Sequence, residues 1–154
     1  MKTVIVLLVF AIPVFVNAQQ GNYGVGIVFG FPTGFTGAIV LSPTSVVAVH
    51  TGWSFKEDFG FHATGTYQFM FPDAIRTEEG KALRDVVPYL GVGGRLILEE
   101  RDDDNKVHVG LRIGGGIEYF VSQFGFFLEL FPVVDVIPET EMDFEGGVGA
   151  RIYF

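Results

Sequence analysis

The chain has 154 residues, 49% of them hydrophobic, with 21 Gly, 17 Phe, no Cys and a formal net charge of −8. This length suits one domain, and an acidic chain with few basic residues is a poor nucleic-acid binder. The missing cysteine excludes disulfide scaffolds, cysteine-based zinc sites, thiol nucleophiles and a cysteine-anchored lipoprotein, and so much glycine suits tight turns and closely packed strands rather than helices.

Residues 1–18, MKTVIVLLVFAIPVFVNA, have Lys2 as a positive start, an apolar run over 4–16, and Val16 and Ala18 as a small-residue cleavage pattern. That is the form of a cleavable secretory signal peptide, too short and wrongly flanked for a stable membrane helix. The mature domain is therefore expected at 19–154, in an exported protein.

From there the hydrophobic period is 2 almost throughout. In the first predicted strand Tyr23, Val25, Ile27, Phe29 and Phe31 alternate with Asn22, Gly24, Gly26, Val28 and Gly30, and Phe31-Pro32-Thr33-Gly34 follows as a tight turn. Further strands are expected at 35–41, 46–55, 61–71, 86–99, 107–119, 126–137 and 144–154. Between them, 56–60 is polar, 72–85 is long enough for a helical turn, 100–106 is a charged loop and 139–143 is a polar break. Pro132 removes a ladder donor within strand seven and implies a bulge there. Eight strands result, each about long enough to cross a bilayer when tilted.

Alternation alone does not say which face is outside, because a soluble lipocalin-like barrel alternates too. The charges decide. Lys56, Lys81 and Lys106 all fall in predicted connections, and the few charges within strands nearly balance: Arg95, Arg112 and Arg151 against Glu118, Glu129, Asp135 and Glu145. Glycine with a handful of Arg and Glu makes a poor solvated face but a suitable narrow lumen, where small residues leave room and charges pair. The bulky face then looks at lipid, and closure is obligatory, since an open edge in hydrocarbon costs several kcal/mol per group. His50, His62, Gln68 and Tyr153 are expected to face the same lumen, forming one ionic network with the three arginines and four carboxylates.

Aromatic residues fall into two sets, as interfacial girdles require. With both termini periplasmic, Phe31, Phe35, Trp53, Phe55, Phe61 and Phe144 belong near one rim; Tyr23, Phe71, Tyr119, Phe126 and Phe154 belong near the other. The last strand, with Val148, Ala150, Ile152 and Phe154 alternating, resembles the C-terminal signal by which bacterial outer-membrane barrels are recognised for assembly. "GIVFGFPTGFTGAIVLSPTSVVAVHTGWSF" (26–55) and "FFLELFPVVDVIPETEMDFEGGVGARIYF" (126–154) resemble a family of small bacterial outer-membrane barrels known in spirochaetes and elsewhere. Its architecture is similar to OmpA- and OmpX-type eight-stranded domains. The resemblance implies an outer-membrane fold and location, and brings no agreed activity and no catalytic residues.

His50, Ser54, His62 and His108 are the residues a lipid-modifying barrel enzyme would draw on, but no activating geometry is visible around Ser54, and lumen histidines satisfied by hydrogen bonds are preferred. The run 101–105 lacks the glycine and following glutamate of a calcium loop, so it is taken as a solvated hairpin tip. Gly91-Val92-Gly93-Gly94 and Gly146-Gly147-Val148-Gly149 precede no helix and are not dinucleotide fingerprints. The expected protein is thus an all-β, eight-stranded antiparallel up-and-down transmembrane barrel of the bacterial outer membrane. It is monomeric, embedded in outer-membrane lipid, inserted by the barrel-assembly machinery, and structural or surface-binding in role, with an extracellular partner left open. No enzyme activity, cofactor or metal is expected. The alternatives are a lipid-modifying enzyme and a soluble exported barrel that binds an apolar ligand. Glu57, Asp58, Asp102, Asp103, Asp104, Glu139, Glu141 and Asp143 are expected to form an acidic outer rim.

Overall fold

The structure is a computed structural model that describes residues 21–54, 60–101 and 104–154, with the side chains of Ser54, Arg101 and Asp104 outside that description. The expected signal peptide and the loop residues Phe55, Glu57, Asp58, Asp102 and Asp103 lie outside the described residues. Eight strands follow in chain order: β1 (Tyr23–Phe31), β2 (Thr33–Ser42), β3 (Ser45–Ser54), β4 (Gly60–Met70), β5 (Val86–Arg101), β6 (Asp104–Val121), β7 (Phe124–Ile137) and β8 (Glu141–Tyr153). Each pairs antiparallel with its chain neighbour, and β8 pairs with β1 to close the barrel. Beyond β8, Phe154 exchanges backbone hydrogen bonds of 3.2 and 2.9 Å with Tyr23 of β1, so pairing continues to the last residue.

The register climbs around the barrel. Tyr23 stands opposite Ile39, Ile39 opposite Val47, Val47 opposite Tyr67, Tyr67 opposite Val92 and Val92 opposite Ile113. Carried on through β7, the line reaches Phe144, at the other end of β8. Such stagger accompanies the strand tilt that closure demands, and it brings residues distant along their strands to one level of the lumen.

Burial is inverted relative to a water-soluble barrel. Leu90, Leu111, Ile113, Leu128 and Leu130 face outward, with Ile113 68% exposed, whereas Arg112, Arg151, His50, His62, Gln68 and Glu118 are among the largest fully enclosed side chains. Arginine and glutamate are almost never fully buried unless paired. Room for them comes from glycine. A Cβ on Gly91 would lie 2.7 Å from Thr66 Cγ2 and 3.0 Å from the Phe131 ring; one on Gly116 would lie 2.5 Å from the Tyr89 hydroxyl.

Several local expectations need correction. The stretch 72–85 forms no helix: it is a finger held by an antiparallel bridge between Arg76 and Ala82, with Thr77 N donating to Lys81 O (2.9 Å) and Leu83 N to Ile75 O (2.8 Å). The charged loop at 100–106 is mostly strand, since Glu99↔Lys106 and Arg101↔Asp104 continue the β5–β6 ladder. The polar break at 139–143 is likewise shorter, since β8 starts at Glu141. Pro132 produces no bulge: β7–β8 register runs unbroken through Pro132↔Phe144, and on the β6 side Arg112↔Val133 and Gly115↔Leu130 share one register. The register shift of β7 lies instead at Val109/Gly110, opposite residues 135–137. Phe31 turns in from the aromatic rim, its ring meeting His62 edge-on at 5.0 Å, just after Gly30, whose φ of 144° a side chain rarely adopts.

Because the lumen-side glycines leave no slack, Gly91→Val should cost about 1–3 kcal/mol. The outward Gly65, whose Cβ would meet nothing within 4 Å, should accept Val freely. Heat-modifiable gel migration of the two variants measures this directly; equal unfolding temperatures would contradict the packing.

Candidate functional site

The lumen is where the chemistry-bearing residues meet. In an antiparallel barrel every second residue points inward, and on β5, β6, β7 and β8 that parity selects Arg95, Arg112, Glu118, Glu129, Asp135, Glu145 and Arg151, all buried. Three guanidinium groups thus sit among four enclosed carboxylates.

Near the rim opposite the termini, Arg95 donates from Nε and Nη2 to the two oxygens of Asp135 at 2.8 and 2.6 Å, a bidentate fork. Its Nη1 also donates to Asp143 (3.0 Å) and Glu145 (3.1 Å). Glu145 is shared: its Oε1 lies 2.8 Å from His62 Nε2 and its Oε2 3.2 Å from Arg112 Nη1. Arg112 Nη2 in turn donates to Glu129 at 3.4 Å. Glu129 receives the Tyr89 hydroxyl at 2.9 Å and lies 3.0 Å from His50 Nε2. The two histidines and Arg112 Nη1 stand at ion-pair distance from these carboxylates without the in-line geometry of a hydrogen bond. Arg95, Glu145, Arg112 and Glu129 therefore form one connected chain across the barrel.

A second cluster lies nearer the terminal rim. Arg151 Nη1 donates to both oxygens of Glu118 (3.4 and 3.3 Å), its Nε donates to Thr36 Oγ1 (3.0 Å), and the Tyr153 hydroxyl donates to Glu118 at 2.6 Å. Aromatic rings complete both clusters. Arg112 lies 4.0 Å over Phe131 and Arg151 4.0 Å over Phe127, where the ring quadrupole favours a cation. His50 also stacks on Phe127 at 5.7 Å, linking the clusters through one ring.

Most of the residues named from sequence lie together in this lumen, but as two groups: Glu118 pairs with Arg151, away from Arg112. His108 lies apart, half-buried at the far rim, 3.5 Å from Asp135 and 3.8 Å from Glu99. Asp143, assigned to the exposed acidic rim, is exposed yet extends its carboxylate to Arg95; Glu139 and Glu141 are simply exposed. Among the described residues no group of three or more His, Asp or Glu is arranged to hold a metal. The hydroxyls of Thr64 and Thr66 and the amide of Gln68, all turned inward from β4, meet no protein partner, so their hydrogen-bonding capacity is left for something other than protein. Tyr89, Phe127, Phe131 and Thr36 were not anticipated. The parity that selects Arg95 on β5 also selects Tyr89, and the parity that selects Glu129 on β7 also selects Phe127 and Phe131.

Val148, Ala150, Ile152 and Phe154 lie on β8 and its end, with Val148 and Ile152 exposed and Ala150 and Phe154 half-buried. Val148, Ala150 and Ile152 stand opposite Phe29, Ile27 and Val25 of β1. Toward the terminal rim Ala38, Val46, Met70, Val87, Tyr89 and Phe131 form an apolar cluster, with Val40, Phe120 and Tyr153 packed on it; Tyr89, Phe131 and Tyr153 join it to Glu129, Arg112 and Glu118.

Removing Arg112 leaves Glu129 and Glu145 short of a cation inside the barrel. Arg112→Leu should destabilise by about 3–5 kcal/mol, the usual loss when one partner of a buried pair is deleted. Lys106→Leu, on an exposed side chain, should stay within about 0.5 kcal/mol of wild type. Thermal unfolding followed by circular dichroism checks both, and similar shifts for the two would show that the pairs are not enclosed.

No protein-family model matches the sequence, and no curated protein does. Among solved structures, the chain is similar to the crystal structure of the N-terminal β-barrel domain of Pseudomonas aeruginosa OprF, with a TM-score of 0.66 and 16% identity over 88% of this chain and 100% of that one. At that identity the likeness speaks for the fold, and the fold is a closed, eight-stranded antiparallel barrel.

Proposed function

We propose that the protein is an integral outer-membrane barrel with a structural or surface-binding role, a polar lumen closed to solutes, and no enzymatic activity. The observation that carries this reading is the inverted burial: charged groups enclosed, and large aliphatic and aromatic side chains outward around the whole barrel. A water-soluble barrel with this surface would expose apolar area far beyond the few hundred Å² that soluble monomers tolerate, whereas hydrocarbon requires such a surface. Exposed Tyr23, Phe71, Tyr119 and Phe126 toward the terminal rim, and Phe35, Trp53, Phe61 and Phe144 toward the other, suit the two interfaces. The likeness to the OprF barrel domain supports the same location.

The lumen argues for closure. Eight strands enclose little more than their own side chains, and here Arg95, Arg112 and Arg151 with their carboxylates and rings occupy the cross-section. A soluble carrier of an apolar ligand would need an apolar lumen, and a lipid-modifying enzyme would need a histidine beside an accessible nucleophile; His50 and His62 are instead engaged by Glu129 and Glu145. In this setting the barrel is monomeric, its edges consumed by closure, and its partners are outer-membrane lipid and the assembly machinery that reads the aromatic end of β8.

Density-gradient fractionation with heat-modifiable migration should place the folded chain with the outer membrane, and deletion of Phe154 should reduce it there. Reconstituted in planar bilayers, the wild type should give no stable, large conductance. Recovery in the soluble fraction would overturn the membrane reading; regular porin-sized steps would overturn closure and make transport the function.

A further inference from the structure

At the terminal rim the barrel opens into a chamber of about 970 Å³, at the upper end of the range typical of ligand sites. Its inner wall is apolar, formed by Val40, Val46, Met70, Val87, Phe120 and Tyr153. Tyr153 belongs both to this wall and to the ion pairs, since its hydroxyl donates to Glu118 (2.6 Å), so the chamber adjoins the Arg151–Glu118 cluster. Two features identify an occupant. Val25, Leu41 and Ile152, which face outward on β1, β2 and β8, also line the chamber, so its apolar lining continues over the rim onto the outer face of the barrel. The mouth is polar and carries both signs: Arg84 and Asp85 at the base of the 72–85 finger, with Asn22 and Gln123 across from them. Arg84 Nε is 3.3 Å from Asp73 Oδ1 in a solvent-exposed pair, held weakly enough to exchange partners.

We propose that this chamber binds the single acyl chain of a zwitterionic lysolipid drawn from the surrounding leaflet. The chain lies against Val40, Met70, Val87 and Phe120; the phosphate meets Arg84 and the amine meets Asp85. A saturated chain buries apolar surface at roughly 25 cal/mol per Å², and the paired charges at the mouth match a phosphate-plus-amine head better than an anionic one, which Asp73 and Asp85 would repel. The path from the leaflet rests on the membrane reading above; the chamber's contacts do not.

The test uses the full-length folded protein in nanodiscs with a lysophosphatidylethanolamine carrying a diazirine at its chain end. Photolabelling should saturate at one adduct per barrel and map to peptides spanning 70–87 and 120–123. Val40→Trp, which fills the chamber, should cut labelling to about a tenth while keeping heat-modifiable migration. Arg84→Glu should weaken labelling about two- to fivefold and leave a neutral monoacylglycerol of equal chain length unaffected. Unsaturable labelling spread over Leu111, Ile113, Leu128 and Leu130 would mean ordinary surrounding lipid and would overturn the proposal, as would full labelling of Val40→Trp. If Val40→Trp does not fold, the adduct map on the wild-type chain decides alone. A chain recovered in the soluble fraction but labelled at 70–87 would refute the membrane reading and leave the chamber assignment standing.

Discussion

Three guanidinium groups held out of water constrain the rest of this barrel. Each of Arg95, Arg112 and Arg151 is costly to bury alone, and each meets carboxylates from other strands: Asp135 and Glu145, Glu129 and Glu145, and Glu118. Those partners stand on β6, β7 and β8, so the ion pairs report directly on barrel register. A slip of one residue in any of these strands would turn its charges out of the lumen and away from their partners. The network is thus weak as a source of net stability but strong as a device for choosing one register.

Glycine is the complement of that network. The large groups occupying the lumen need facing positions with no side chain, and Gly91, against Thr66 and Phe131, and Gly116, beside Tyr89, provide them. Phe127 and Phe131 then serve two purposes, filling volume and presenting ring faces to Arg151 and Arg112. Charge, ring and glycine are distributed over opposing strands so that no single strand carries a complete unit.

The two ends of the barrel are built differently. Toward the rim opposite the termini, the lumen ends in the buried Arg95–Asp135 pair, with the exposed Asp143 and the half-buried His108 against it. Toward the terminal rim it ends in an apolar layer, and the connection of greatest length among the described residues, 72–85, projects there as a hydrogen-bonded finger.

The period-2 pattern, the abundance of glycine and the near-balance of the few charges within strands determined the strand count, the closed barrel and which residues share a face, although Lys106, read as part of a connection, lies within β6. These are local properties, because side-chain direction in a strand follows from the residue's own position. Partner choice within the lumen was not legible in the same way. Arg112 and Glu118 share an inward parity on β6, yet stagger carries Arg112 to Glu129 and Glu145 and leaves Glu118 to Arg151. Phe31 is a member of an outward series by spacing, but the backbone at Gly30 turns it toward His62. The finger at 72–85, composed of residues compatible with a helical turn, is set by hydrogen bonds between its two arms. In each case the deciding contact joins residues whose relative height depends on tilt and register around all eight strands, which only the closed tertiary structure specifies.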